Sequence, residues 1–372
     1  MPESLSDRVR RVVQQSGLSQ AQFADRIGID GPKLTKSLSG QRRFTSFELA
    51  SIAEQADETV DWLITGRSRA RVFAHRAVMN TASGDEIGRQ KIDLIEDRVA
   101  GLRFMGRPLD FPALPVPVRS GRKIDQGAKT AMRYAEALGV GVAGLSTPAL
   151  IDHLEARFGI NVVVAQLPDG CDGLSFASDG LRVIVLATSD TSPHRQRFTL
   201  AHELGHIAFD DAFDSVISER MWESRELEEL RANAFAASFL APAAEVRAAI
   251  GGQPARNVFD SLVLDFQVSP ESMAWRLFNE GIINADEQRV LATPSSRTVA
   301  MRAGRPAEYA ERIELASQER PPLRLVGAYL AAYADGETTL KPAASLLGWS
   351  IERAEASFGD AAHEDSDPVH TL

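Results

Sequence analysis

The sequence predicts a mainly α-helical chain with a small β-sheet, an α+β protein. Apolar residues recur at helical spacing through residues 5–66 and through most of the chain after residue 193. Between these regions lies one cluster of β-branched segments, from 161 to 187. No apolar stretch approaches the roughly 20 residues of a membrane span.

With 372 residues the chain has room for two or three domains. A 44% hydrophobic and 25% charged composition describes a globular protein with real cores. Cys171 is the sole cysteine, which excludes an internal disulfide and agrees with a reducing compartment. The start, MPESLSDRVRR, lacks the apolar core of a signal peptide, so a cytoplasmic protein with no membrane partner is expected. The net charge of −10 argues against a protein that coats nucleic acid over its whole surface. The charge is uneven, however: residues 1–76 hold 12 Lys/Arg against 9 Asp/Glu, and the remainder is strongly acidic. A mildly basic head on an acidic body fits a small nucleic-acid module joined to something else.

Taken in order, residues 5–66 read as short helices with tight turns, and the basic stretch 67–80 leads out of this head. A helix follows from Asp85 to Leu102. Four prolines between Pro108 and Pro117 mark a linker or extended segment. Apolar spacing predicts helices from Asp125 to Leu138 and from Pro148 to Phe158. Asn161–Gln166 is a short strand. LSFAS and LRVIVLA then flank Asp179-Gly180, a strong two-residue hairpin turn. Helices are expected over 193–210, 222–240, 242–250, 256–266, 270–280, 306–317, 322–334 and 338–357. The acidic, polar residues 359–372 read as a disordered tail. The expected domains are 1–76, a connecting helix and Pro-rich linker over 77–124, a central domain over 125–290 and helices over 291–358.

In the head, Ser19 caps a helix with Phe23, Ala24 and Ile27 inward, and Gly28 breaks it. Asp30 caps the next, with Leu34 and Leu38 as its buried stripe, and Gly40 closes it. Phe44, Leu49, Ile52 and Ala53 continue the core. Two short helices around a tight turn, followed by supporting helices and the closing VDWLITG, resemble the XRE/Cro-type helix-turn-helix family. The resemblance implies that the second helix enters the major groove of double-stranded DNA. Pro32, Lys33, Lys36 and Ser37 would face bases or adjacent phosphates, while Gln20, Arg42 and Arg43 would meet the backbone. One copy reads a half-site, so the resemblance also implies a homodimer. The alternative is a helical protein–protein module with solvated charges.

The stretch RFTLAHELGH, Arg197 to His206, carries the chemistry. A helix puts residues i and i+4 on one face, so His202 and His206 can offer ring nitrogens to one ion at about 2.0–2.1 Å. Glu203 borders the same cleft, where it can take a proton from water and later deliver it to a leaving amine. Leu200, Leu204 and Ile207 lie opposite and bury the helix. A catalytic zinc needs a third protein ligand and an open position. Downstream, Glu229 and Asn233 are four apart on one helical face with Ala232, Ala236 and Ala237. That face can pack close to the first helix, bringing Glu229 to the metal and Asn233 to the other ring N–H of His202. Glu226 is the fallback ligand. His194 shares the helix but sits two turns away.

HELGH followed by E-x-x-A-N-x-F-A-x-x-x-L-x-P resembles the ImmA/IrrE family of zinc metallopeptidases. The similarity runs from about Thr147 to Ile283 and includes DGLSF, RQRFTLAHELGH, EELRANAFAASFLAP and VSPESMAWRLFNEGII. It implies a gluzincin-like domain with a small sheet beside the active-site helix. It also implies one Zn2+ per chain on His202, His206 and Glu229, with Glu203 as general base. Arg231 and SFLAP depart from the family's usual residues, and neither is expected to touch a ligand. Family members cleave helix-turn-helix repressors of stress genes or mobile elements, so the expected partners are DNA and such a repressor. The alternative is a transcription regulator whose peptidase-like domain senses metal or ligand, or binds a protein, without cleaving.

Smaller features remain open. LRVIVLA pairs with an extended substrate backbone at a sheet edge, or is a purely structural strand. Cys171 is an incidental loop residue, or a thiolate able to occupy the metal's open position. Arg195, Arg197 and tyrosines further on are candidates for stabilising an oxyanion. TTLKPAASLLGWSIERAEASF reads as part of a helical regulatory or dimerisation domain, and only loosely as a second helix-turn-helix.

Overall fold

The computed structural model describes residues 4–56, 63, 74–77, 82–178, 180–211 and 219–359. The acidic tail and Asp179 of the hairpin turn lie outside them. The chain divides into two compact units, residues 1–71 and 72–372.

The first unit has four helices among the described residues: α1 (Leu5–Gln15), α2 (Gln20–Arg26), α3 (Gly31–Leu38) and α4 (Ser46–Gln55). Capping boxes start the first two, Ser4 with Asp7 and Ser19 with Gln22, and each satisfies N–H groups that a helix start leaves without partners. Gly28 supplies the left-handed turn (φ 69°) between α2 and α3. Val9, Phe23, Leu34, Ile52 and Leu63 meet in one fully buried cluster.

The second unit is built on a four-stranded sheet in the order β1-β3-β4-β2: β1 (Ala74–Ala77), β2 (Asn161–Ala165), β3 (Cys171–Ser178) and β4 (Leu181–Ala187). β3 and β4 form the expected hairpin, with Ser178 opposite Leu181 and Gly180 at φ 87°. β2 runs parallel to β4, and β1 antiparallel to β3. β4 therefore lies inside the sheet, and the edge-strand reading of LRVIVLA does not hold.

Side chains alternate along β2 and along β4. Val162, Val164, Ile184 and Leu186 enter one core; Val163, Ala165, Val183 and Val185 enter another. The first core is covered by α6 (Lys123–Leu138), α7 (Thr147–Phe158), α8 (Pro193–Phe209), α9 (Glu219–Leu240) and the helices that follow: α10 (Ala243–Ile250), α11 (Ala255–Asp265) and α12 (Pro270–Asn279). The second is covered by α5 (Ala82–Phe104), α16 (Leu323–Ala334) and α17 (Lys341–Leu347). A sheet covered on both faces explains why NVVVA and VIVL read as unbroken apolar runs.

The remaining elements are α13 (Ala285–Ala292), α14 (Ser296–Arg302), α15 (Pro306–Ser317) and α18 (Ile351–Phe358). α13 and α14 have no counterpart among the expected helices. The helix expected over 338–357 is two, parted at Gly348 (φ 66°). The C-terminal helices are continuous with the body: Val299, Ala300 and Tyr309 join the first core, and Arg320 bridges to Val164 of β2. The Pro-rich segment is extended and anchored, since Val118 N donates to Thr130 Oγ1 at 2.9 Å. Among the described residues no helix is long and apolar enough to cross a membrane.

Candidate metal centre

α8 begins with proline in its first turn, where a missing N–H costs nothing, and ends at Asp210 in the left-handed conformation (φ 51°). Aspartate tolerates that conformation better than most residues. The turn returns Asp211 towards the helix, so that Asp211 Oδ2 lies 3.2 Å from His206 Nδ1. Arg119, from the extended segment, donates to the Phe209 carbonyl at the same helix end (2.7 Å).

α8 and α9 approach closely. A Cβ on Gly205 would lie 3.3 Å from the Ala232 Cα, and one on Gly127 of α6 would lie 2.3 Å from the Arg231 carbonyl oxygen. This packing brings Glu229 beside the two histidines. Glu229 Oε2 is 3.2 Å from His202 Nε2, Glu229 Oε1 is 3.3 Å from His206 Nε2, and the two Nε2 atoms are 3.1 Å apart. Four tetrahedral ligands at about 2.0–2.1 Å from an ion stand about 3.3 Å from one another. The three side chains therefore fit one such ion, and their ligand atoms all lie within 4.8 Å of one another. Both histidines are buried, while the Glu229 side chain is 40% exposed and gives the group its open side. Glu226 is exposed and outside the group.

The far nitrogen of each ring is also held. His202 Nδ1 meets Asn233 Oδ1 at 3.1 Å, and His206 Nδ1 meets Asp211. These acceptors fix the Nδ1–H tautomer and leave both Nε2 lone pairs for a metal. Asp211 is in turn ion-paired with Arg231, whose guanidinium lies 4.1 Å from the centroid of the Phe209 ring. Arg231 thus touches no ligand but orients one through Asp211. The sequence reading missed Asp211; the only local signal was an acidic pair immediately after the helix end.

Electrostatics follow the geometry. Burial would depress His206, but hydrogen bonds to Asp211 and Glu229 and the charges of Glu203 and Glu229 hold it up to about 10. Burial would raise Glu229, yet His202 and His206 keep it well below the usual carboxylate range.

Glu203 is fully buried and is not a member of the ligand group. Ser175 Oγ of β3 donates to its Oε2 at 2.7 Å, while its Oε1 has no hydrogen-bond partner. Ser175, like Asp211, is absent from the sequence-level candidates. Gly173 permits the contact: a Cβ there would sit 2.7 Å from Thr199 Cγ2 of α8.

Other candidates fall elsewhere. Arg195 is tied to Asp172 (2.6 Å), and Arg197 is wholly buried with Nη2 on the Val142 carbonyl, so neither is placed as an oxyanion donor. His194 faces Ser296. Cys171 is no loop residue: it opens β3, is buried in the second core and is not in the ligand group.

In the first unit, Pro32, Lys33 and Lys36 are exposed on α3, and Arg43 is exposed beyond it. Gln20 Nε2 donates to Thr35 Oγ1 at 2.8 Å, which adds Thr35 to that face. Ser37 is 1% exposed and accepts from Arg42, so it faces the core and not a DNA base. Arg42 makes a two-pronged ion pair with Glu48, both bonds 2.9 Å, and positions the loop after α3.

A comparison with curated proteins finds no match for the chain. Residues 155–278, the stretch that holds β2 to β4, α8, α9 and every residue of the metal group, match the family model of the IrrE N-terminal-like domain, Peptidase_M78, and so form a metallopeptidase-like domain.

Proposed function

We propose that the chain is a zinc-dependent peptidase that cleaves a regulatory protein, a helix-turn-helix repressor by the resemblance noted above, and that its head binds DNA. One observation carries the enzymatic reading: Glu203, a fully buried carboxylate beside a three-ligand group, keeps one oxygen without a partner. Buried polar atoms are almost always hydrogen-bonded, and a metal held only for structure needs no such base.

His202, His206 and Glu229 hold the ion, which when bound polarises water and the scissile carbonyl as a Lewis acid. Glu203 takes the proton of the attacking water on its open Oε1 and passes it to the leaving amine. Ser175 keeps the other oxygen in place, so the carboxylate presents one defined face. Asn233 and the Asp211–Arg231 pair hold the imidazoles.

The test is cleavage of a candidate repressor, read by mass spectrometry of the fragments. Glu203→Gln is expected to retain zinc and fold while losing about 10²–10⁴-fold in rate. Equal cleavage by wild type and variant overturns the mechanism. Absence of cleavage by both, with release of repressor from DNA still dependent on the protein, supports the sensor reading instead.

A further inference from the structure

The strand β1 pairs with β3 beside the general base, and the peptidase chemistry gives it no role. β3 lies directly on α8: its Ser175 hydroxyl meets Glu203 at 2.7 Å, and a Cβ on its Gly173 would sit 2.7 Å from Thr199 Cγ2. β1 runs antiparallel along the side of β3 away from β4, with Ala74 opposite Ser175, His75 opposite Leu174 and Ala77 opposite Cys171. Its backbone also passes close to α8. A main chain laid on this side of β3 therefore runs past the residue that holds Glu203.

An extended peptide is held most directly by adding a strand to a sheet, its main chain bonding to the N–H and C=O groups there. At the far side of the sheet, β2 is separated from β3 by β4, and its Val164 is already paired with Arg320 through two backbone hydrogen bonds of 2.9 Å. A peptide on the outer side of β1 would stand a further strand spacing, about 4.8 Å, from Ser175. The side of β3 itself is the place next to Glu203, and β1 occupies it. β1 is a weak occupant: it has four residues, and its register with β3 shifts between His75 and Ala77, which interrupts the ladder. The chain then returns to β3 in α5, where a Cβ on Gly88 would meet Leu174 Cδ2 at 2.3 Å. α5 thus tethers β1 close to its pairing partner, so a released β1 competes for β3 at the high effective concentration of an intramolecular strand.

We propose that β1 is a built-in competitor of the substrate: it pairs with β3 in the resting chain, and a substrate peptide must displace it to lie beside Glu203. Peptide and β1 claim the same backbone groups, so apparent affinity for substrate falls with the fraction of molecules in which β1 has left. β1 starts at Ala74, just beyond the first compact unit, which ends at Arg71. The control of the site then lies in the stretch of chain that follows the head. The inference rests on the peptidase reading above and deepens it by naming what regulates access to the site.

Two full-length, zinc-loaded variants test it. Opposed residues of an antiparallel pair stand about 4.5–5.5 Å apart at Cα, within disulfide reach, so oxidation of Ala77→Cys should lock β1 to Cys171. Wild type, with its sole cysteine, is the oxidation control. Ala74→Pro with His75→Pro loosens β1 instead: successive N–H groups of a strand point to opposite sides, so the pair deletes one donor towards β3. The probe is a labelled synthetic peptide of residues 70–81, followed by fluorescence anisotropy on a Glu203→Gln background so that it is not consumed. The oxidised lock should bind it at least about tenfold more weakly than its reduced form. The proline variant should bind it about two- to tenfold more tightly than the parent, the worth of one hydrogen bond. Equal affinity in the oxidised and reduced forms overturns the proposal, as does absence of binding to every form or failure of a folded Ala77→Cys to bridge to Cys171. If one variant does not fold, the other decides. With Glu203 restored, cleavage rates on a candidate repressor should follow the same order. Peptide exchange without cleavage by any form would be failure of the peptidase reading alone, whereas equal cleavage by locked and reduced protein would be failure of this one.

Discussion

At the scale of single residues, the metal group is a set of lone pairs aimed at one point, and that geometry predicts how it titrates. Without metal, His206 holds its proton up to about pH 10. A metal needs that nitrogen bare, so binding releases the proton, and apparent zinc affinity should rise about tenfold per pH unit across the neutral range. Competition titrations at three pH values measure this; a flat profile would remove the protonated His206 from the account. The same shift bears on the metal-free fold. Its raised pKa stabilises the folded state fully below the ordinary histidine value of 6.5, and that stabilisation is lost as pH rises through about 10. Metal-free protein should therefore lose thermal stability in mild alkali, and added zinc should restore it. Ser175 offers a second test. Ser175→Ala removes the donor to Glu203 Oε2, while Ser175→Thr keeps a hydroxyl. The first should lower kcat with zinc content unchanged, and the second should recover part of it. Equal kcat for all three proteins would reduce Ser175 to a packing role. His202, Glu203 and His206 were legible because i,i+4 spacing is local, whereas Ser175 belongs to a strand that only folding brings to α8. Ser37 was a different error, since it lies three residues after Leu34 and the helical period itself puts it on the core side.

At the scale of elements, the centre depends on how closely α6, α8 and α9 pack. Alanine is favoured over glycine inside a helix by about 1 kcal/mol, so replacing Gly205 or Gly127 would stabilise an isolated helix. The surroundings decide otherwise in one case. At Gly205 the added Cβ meets its nearest neighbours at 3.3 Å, a contact that a small shift relieves. Gly205→Ala should therefore stay within about 1 kcal/mol of wild type. At Gly127 the added Cβ falls 2.3 Å from a backbone oxygen of α9, and no rotamer change can clear it. Overpacking of that kind costs about 1–3 kcal/mol, so Gly127→Ala should denature at distinctly lower temperature and hold zinc less tightly as Glu229 is displaced. A Gly127→Ala protein as stable as wild type would contradict the packing of α6 on α9. The helices themselves were readable from apolar period and caps. What covered the second face of the sheet was not: NVVVA states only that both its sides are apolar. Its partners are α5, before the Pro-rich segment, and α16 and α17, more than 150 residues further on. The same distance hid the continuity of the C-terminal helices with the body.

At the scale of the whole molecule, the basic head and acidic body make separate demands on the experiment, because each unit can be altered through its own exposed residues. Lys33 and Lys36 stand exposed on α3, one turn apart, and neither belongs to the core that holds the head together. If that helix meets DNA, each lysine that neutralises a phosphate releases condensed counterions. The slope of log affinity against log salt then changes by about 0.9 per contact. Full-length protein with Lys33→Ala and Lys36→Ala should bind DNA more weakly and with a slope shallower by up to about 1.8. Its zinc content and its rate on a peptide substrate should match wild type, because neither lysine lies in the metal group. Ser37→Ala is the complementary control. Ser37 is buried and bonded to Arg42, so its loss should lower the head's thermal stability without changing the salt slope. A full-length protein with no salt-dependent affinity for its own promoter region would make the head a protein-binding module. A double-lysine variant with an unchanged slope would leave DNA binding intact but move it off α3.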